Sequence, residues 1–186
     1  MADNFHIFGF AGSLRKDSFN KSLLRAAAEL LPAHAMLETF DLEGIPPFNA
    51  DLERQIPAAV REFKVRVKNA DALLIATPEY NYSMPGVLKN AIDWGSRPYG
   101  DNCFDDKPVA LMGASGGMLG TARAQYHLRQ SCVFLNMHPL NMPEVMVPFA
   151  QDKIDRSGKL TDDQTRTRIK ELIAALVAWT ERLNKS

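Results

Sequence analysis

One junction recurs along this chain and limits what it can become: a short apolar run, a turn rich in small or hydroxylated residues, then a helical pattern. It occurs where Phe5-His6-Ile7-Phe8-Gly9-Phe10 runs into residues 11–20, where residues 72–76 run into Thr77 to Gly86, and where residues 108–112 run into Gly113-Ala114-Ser115-Gly116-Gly117. A strand that returns through a helix arrives parallel to its predecessor, because a hairpin leaves no room for the crossover. Repetition of the unit predicts a parallel α/β sheet with helices on both faces and ligands at the carboxyl ends of the strands. All three turns belong at that end.

The remaining segments fit the same scheme. Leu23, Leu24, Ala27, Leu30 and Leu31 sit at helical spacing over residues 19–31, with Ser18 as N-cap and Pro32 as stop. A second strand is predicted over 36–42, a loop over 44–57, and an amphipathic helix from about 58 to 68. Pro85 opens a helix carrying Val87, Leu88, Ala91, Ile92 and Trp94 as far as Gly95. A polar loop over 97–106, a helix over 121–135, a short fifth strand over 144–147 and a terminal helix over 162–183 complete the pattern. With 186 residues, 46% of them hydrophobic, and no linker or repeat, the chain is expected to form a single domain over 1–186.

Charge and cysteine content narrow the function classes. Twenty-two basic residues balance 22 acidic ones, so no global field draws in nucleic acid or an anionic membrane, and any anion must be caught locally. Cys103 and Cys132 form neither a C-x-x-C nor a zinc pattern, which favours a reducing cytoplasm. Residues 1–4 carry no basic leader, and no apolar run approaches the roughly 20 residues of a membrane span. His6, His34, His127 and His138 show no metal-ligand spacing, so no metal is expected. The methionines of the later half, Met112, Met118, Met137, Met142 and Met146, read as core filler, with a pliable substrate mouth as the alternative.

The first turn offers Ser13, Arg15, Ser18 and Asn20 as donors beside a helix N-terminus, a set suited to one terminal phosphate. Gly9 and Gly12 are G-x-x-G, so neither the dinucleotide fingerprint nor the Walker A pattern is present. The plain alternative is a βα turn in which Ser18 caps a helix and Arg15 is solvated. In the second turn Pro78 and Pro85 bracket Glu79, Tyr80, Asn81 and Tyr82, a restricted polar and aromatic loop suited to a flat heterocycle; its alternative is surface packing by the tyrosines. Phosphate site plus ring site suggests a mononucleotide. The third turn matches G-x-S-x-G, the nucleophile elbow of α/β-hydrolases. That order demands an acid and then a histidine after the serine. The first carboxylate beyond Ser115 is Glu144, and no histidine follows it. Ser115, Gly116 and Gly117 are therefore read as a close-approach loop whose amides meet the carbonyl edge of the ring.

At residues 12–20, at 78–94 (Pro-Glu-Tyr-Asn-Tyr-Ser-Met-Pro-Gly-Val-Leu-Lys-Asn-Ala-Ile-Asp-Trp) and at Gly120-Thr121-Ala122-Arg123-Ala124-Gln125, the chain resembles the NAD(P)H-dependent FMN reductases of the flavodoxin-like superfamily, in particular the bacterial chromate and quinone reductase group. The resemblance runs nearly end to end. It implies a flavodoxin-like three-layer sandwich with a five-stranded parallel sheet of order 2-1-3-4-5, and non-covalent FMN with NADPH or NADH as donor. It also implies homodimers that often pair into homotetramers. By that resemblance Ser13, Arg15, Ser18, Phe19 and Asn20 hold the phosphate, Phe19 through its amide. Pro78, Glu79, Tyr80, Asn81 and Tyr82 cradle the isoalloxazine, and Ser115, Gly116 and Gly117 meet its pyrimidine end. Arg123, Tyr126 and Glu144 match positions that make contacts between subunits near the site. Asp17 departs from the pattern, where glycine is expected, and is predicted to point outward or pair with Lys16 or Arg15. The implied activity is ping-pong reduction of quinones or similar acceptors, including chromate, azo compounds or free flavin, with hydride passing through flavin N5 and no catalytic side chain needed. An electron carrier or flavin sensor is the alternative; the balanced charge speaks against a carrier, which steers by strong fields.

Overall fold

The computed structural model describes residues 5–185; the reading of residues 1–4 lies outside the described residues. Parallel strands β1 (Phe5–Ala11), β2 (Ala35–Phe40), β3 (Ala72–Ala76) and β4 (Pro108–Ala114) are joined by helices α1 (Phe19–Glu29), α2 (Ala58–Asn69) and α3 (Gly86–Gly95). Helix α4 (Ala122–Leu135) leads to the short β5 (His138–Pro139) and β6 (Val145–Val147), and α5 (Asp163–Leu183) closes the fold. The strand order is β2-β1-β3-β4-β5, with β6 also on β4. This is the flavodoxin-like arrangement expected from the resemblance.

Period two along the strands sorts side chains into two cores. Ile7, Leu74, Ala76 and Met112 point into the layer formed with α1 and α5, where Leu23, Ala27, Ile169 and Leu176 pack. Phe8, Phe10, Leu73, Ile75 and Leu111 point the other way, towards Phe63, Leu88 and Leu128 of the remaining helices. Strands β3 and β4 are buried along their whole length, which is why they read as unbroken apolar runs.

The outer edge of β4 differs from a single fifth strand. Two pieces share it: β5 pairs with Pro108 and Val109, and β6, inside the predicted 144–147 segment, pairs with Met112 to Ala114. Pro143 stands between them, without an N–H to continue a ladder. The 44–57 loop also contains a 3-10 segment, Ala50–Gln55, whose N-cap Asn49 accepts from the Asp51 amide. Of the methionines, Met112 and Met137 are core, whereas Met118 and Met142 are exposed, so the filler reading holds for only part of the set. Among the described residues no helix is long and apolar enough to cross a membrane, and no cluster of three His, Cys, Asp or Glu side chains is suited to a metal.

Candidate functional site

The turns after β1, β3 and β4 converge at the carboxyl edge of the sheet. Gly12 donates to the Ala76 carbonyl at 2.9 Å, Thr77 donates to Met112 at 2.9 Å, and Ser115 donates to Val147 at 3.1 Å. Each turn is thus anchored to the strand beside it. Gly113 lets α4 start here: a Cβ at that position would lie 1.9 Å from Thr121 Oγ1 and 2.4 Å from the Thr77 carbonyl.

In the first turn Ser13 and Ser18 are buried, yet each hydroxyl only accepts, from the Arg15 amide and the Asn20 amide, both at 3.3 Å. Their protons stay available to an anion. The amides of Ser18 and Phe19 and the guanidinium of Arg15 make no hydrogen bond or ion pair among the described residues. Asp17 is exposed and pairs with neither Lys16 nor Arg15, so the outward alternative applies. Free hydroxyls, free amides at a helix start and an uncompensated cation form a donor set that fits a phosphate.

Asn20 has a structural task besides the expected one, and one N–H of its carboxamide is left for an anion. Its carboxamide donates to the Ala114 carbonyl at 3.0 Å and accepts from the Ala114 amide at 2.9 Å, in a buried setting. The side chain completes the end of β4 as a neighbouring strand would, so its carbonyl oxygen is spent and α1 is tied to the glycine turn.

The second turn has buried prolines at both ends and a tight two-residue reversal between them. Tyr80 and Ser83 exchange backbone hydrogen bonds of 3.0 and 2.9 Å, with Asn81 and Tyr82 at φ of 50° and 66°. Positive φ at both central residues is the type I′ pattern. The amides of Asn81 and Tyr82 remain free among the described residues, and Tyr80 and Tyr82 are exposed. Glu79 can meet a ring only through its backbone, because its side chain is committed elsewhere. Its carboxylate accepts from the Arg123 amide at 3.0 Å and the Ala124 amide at 3.2 Å and is ion-paired to the Arg123 guanidinium. It closes the N-terminus of α4, whose own Thr121 makes no side-chain cap. That pairing raises Arg123 above the ordinary arginine value.

The third turn is likewise partly committed. The Ser115 amide serves Val147, and its hydroxyl donates to the Gly117 carbonyl at 3.3 Å rather than to a histidine or carboxylate. Gly116 and Gly117 are exposed with free amides among the described residues, the two donors left for a ring's carbonyl edge. The residues therefore fit FMN, its phosphate at the first turn and its ring between the other two.

Arg123 and Tyr126 lie on α4, Arg123 turned to Glu79 and to the Tyr82 ring, 3.5 Å from its centroid, and Tyr126 half exposed. Glu144 lines a cleft of about 480 Å³ with Val147, Lys153 and Arg168, which shares no residue with the three turns. Sequence reasoning missed His127, whose Nδ1 lies 2.9 Å from Ser83 Oγ, because 44 residues separate the two and no local pattern joins them.

Comparison with known proteins agrees with this geometry. The model of the family described as NADPH-dependent FMN reductase matches residues 5–152. An NAD(P)H-dependent FMN reductase of Pseudomonas aeruginosa is 51% identical over 98% of this chain and 99% of its own. A 2-hydroxy-1,4-benzoquinone reductase of a Burkholderia species is 44% identical over 90% and 92%. Among solved structures, the flavoenzyme NAD(P)H:(acceptor) oxidoreductase of Paracoccus denitrificans superposes with a TM-score of 0.85 at 36% identity, covering 95% of this chain and 97% of that one. Since the matched span holds all three turns and every strand that carries them, this protein belongs to the NADPH-dependent FMN reductase family.

Proposed function

We propose that the protein is an FMN-dependent NAD(P)H oxidoreductase whose acceptors are quinones. The observation that carries this reading is the set of donors unspent among the described residues: two buried hydroxyl protons and the Arg15 guanidinium at one end, the Gly116 and Gly117 amides at the other. When bound, FMN supplies the two-electron transfer between nicotinamide donor and acceptor. Ser13, Ser18 and Arg15 neutralise and orient the phosphate. The Asn81 and Tyr82 amides present donors along the ring, and the Gly116 and Gly117 amides favour negative charge at its carbonyl edge. No side-chain acid, base or nucleophile is required of this chain.

The test is an absorbance spectrum of protein mixed with FMN and desalted, then treated anaerobically with NADPH and afterwards with benzoquinone. Retained colour, bleaching and recovery are the expected results. Retained colour that NADPH cannot bleach would replace the enzyme with a carrier or sensor, and no retained colour would remove the cofactor.

The assembly expected is a homodimer, with a tetramer as its pairing, built on the outer face of α4. Val133 and Phe134 there are 82% and 77% exposed, values unusual for large apolar side chains on an otherwise well-packed helix. Sedimentation should show a dimer that Phe134→Glu converts to monomer; a monomeric parent protein would refute the assembly. A reducing compartment fits the two thiols, both buried and unpaired, with burial pushing Cys103 up to about 12 and Cys132 up to about 11.

A further inference from the structure

The turn after β3 is held by more than its own hydrogen bonds, and the extra hold comes from the first two turns of α4. A type I′ reversal favours Asn-Gly, yet this one places tyrosine at its second central residue, with φ at 66°. A bulky side chain in the left-handed region persists only where the surroundings over-determine it. Those surroundings are visible on both flanks. Before the turn, Glu79, its side chain only 7% exposed, is gripped by the Arg123 and Ala124 amides and by the Arg123 guanidinium. Over the turn, that guanidinium stacks 3.5 Å from the centroid of the Tyr82 ring. After it, His127 meets Ser83 Oγ at 2.9 Å.

We infer that Glu79 and Arg123 are positioning residues that hold the 80–83 turn in its ring-binding conformation before any ligand arrives. The inference rests on the flavin reading for what the turn binds, but not for the existence of the clamp. Glu79 does the work of an N-cap from 44 positions away, so α4 and the turn form one rigid unit. Arg123 joins the cap to the aromatic ring. Neither needs to touch the ligand: preorganisation removes the ordering cost that binding would otherwise carry.

The experiment measures amide hydrogen exchange at Tyr80 and Ser83 in the FMN-free protein, together with the dissociation constant for FMN. Losing a cation–π contact and a partly shielded ion pair should make exchange about tenfold faster and FMN binding about tenfold weaker in Arg123→Met. In amide exchange, Tyr82→Phe, which keeps the ring face and gives up only the hydroxyl, should stay close to the parent protein, whereas Tyr82→Leu, which loses the stacking but keeps the Glu79–Arg123 ion pair, should fall between the parent protein and Arg123→Met. The double variant of Arg123→Met and Tyr82→Leu should be no worse than Arg123→Met alone, because that variant already removes the stacking. Unchanged exchange in folded Arg123→Met, or additive effects in the double variant, would overturn the clamp. Should Arg123→Met fail to fold, exchange in the Phe and Leu variants at Tyr82, a residue 68% exposed, decides the matter alone. A parent protein that exchanges as described but binds no FMN refutes the flavin reading and leaves the clamp standing.

Discussion

Two polar residues of the first turn, alike in sequence terms, do different work. Arg15 has no side-chain partner among the described residues, so its charge is available, and Arg15→Ala should weaken FMN binding roughly 10- to 150-fold, the equivalent of about 1.5–3 kcal/mol. Titration calorimetry checks this; unchanged affinity would take Arg15 out of the site. Asn20 spends its carboxamide on both polar atoms of Ala114, so its loss strands a buried N–H and a buried C=O. Asn20→Ala should cost about 2–4 kcal/mol of stability in urea unfolding. A cost under about 0.5 kcal/mol would mean that water replaces both bonds. From the sequence, Arg15 and Asn20 both read as phosphate donors. Only the position of β4 shows the second task of Asn20, and no local pattern reveals which strand end a buried amide will complete.

Elements were more legible than contacts. The 58–68 and 121–135 helices, the 72–76 strand and the 162–183 helix fall within one residue of α2, α4, β3 and α5, because periodicity and flanking residues act locally. Asp162 illustrates the local kind of signal: as N-cap of α5 it accepts from the Thr165 amide at 2.8 Å and from its hydroxyl at 2.5 Å. Asp162→Ala should lower stability by about 1 kcal/mol in thermal unfolding, and an unchanged midpoint would show the cap to be redundant. The two-residue β5 was not legible, since Pro108, Val109 and their neighbours across the sheet define it rather than its own composition. The same holds for Glu79, whose distant helix is invisible in a polar, aromatic loop.

At the scale of the whole molecule, α2 is stapled to the loop before β4. Lys64, only 5% exposed in its side chain, pairs with Asp101 at 2.7 Å, and Lys68 pairs with the same carboxylate. Hydrogen bonds from Lys64 and then Lys68 hold Asp101 below its ordinary value of 3.8. A depressed folded-state value means the contribution is complete above about pH 4 and disappears as pH falls through the lowered value. Asp101→Asn should therefore destabilise the protein at pH 7, with the gap to the parent closing as pH drops towards 2 in a urea series. A gap that stays constant with pH would show the pairing to be energetically silent.

The divided edge beside β4 has one more effect. A sheet's outermost strand is a template on which a foreign strand can grow, and a long flat one seeds fibres. Here that margin offers two residues at β5 and three at β6, with Pro143 between them and Pro148 just after. An incoming strand finds no run of free backbone groups long enough to hold it. The divided margin thus leaves this side of the molecule poorly suited to nucleating amyloid, even when the chain is crowded.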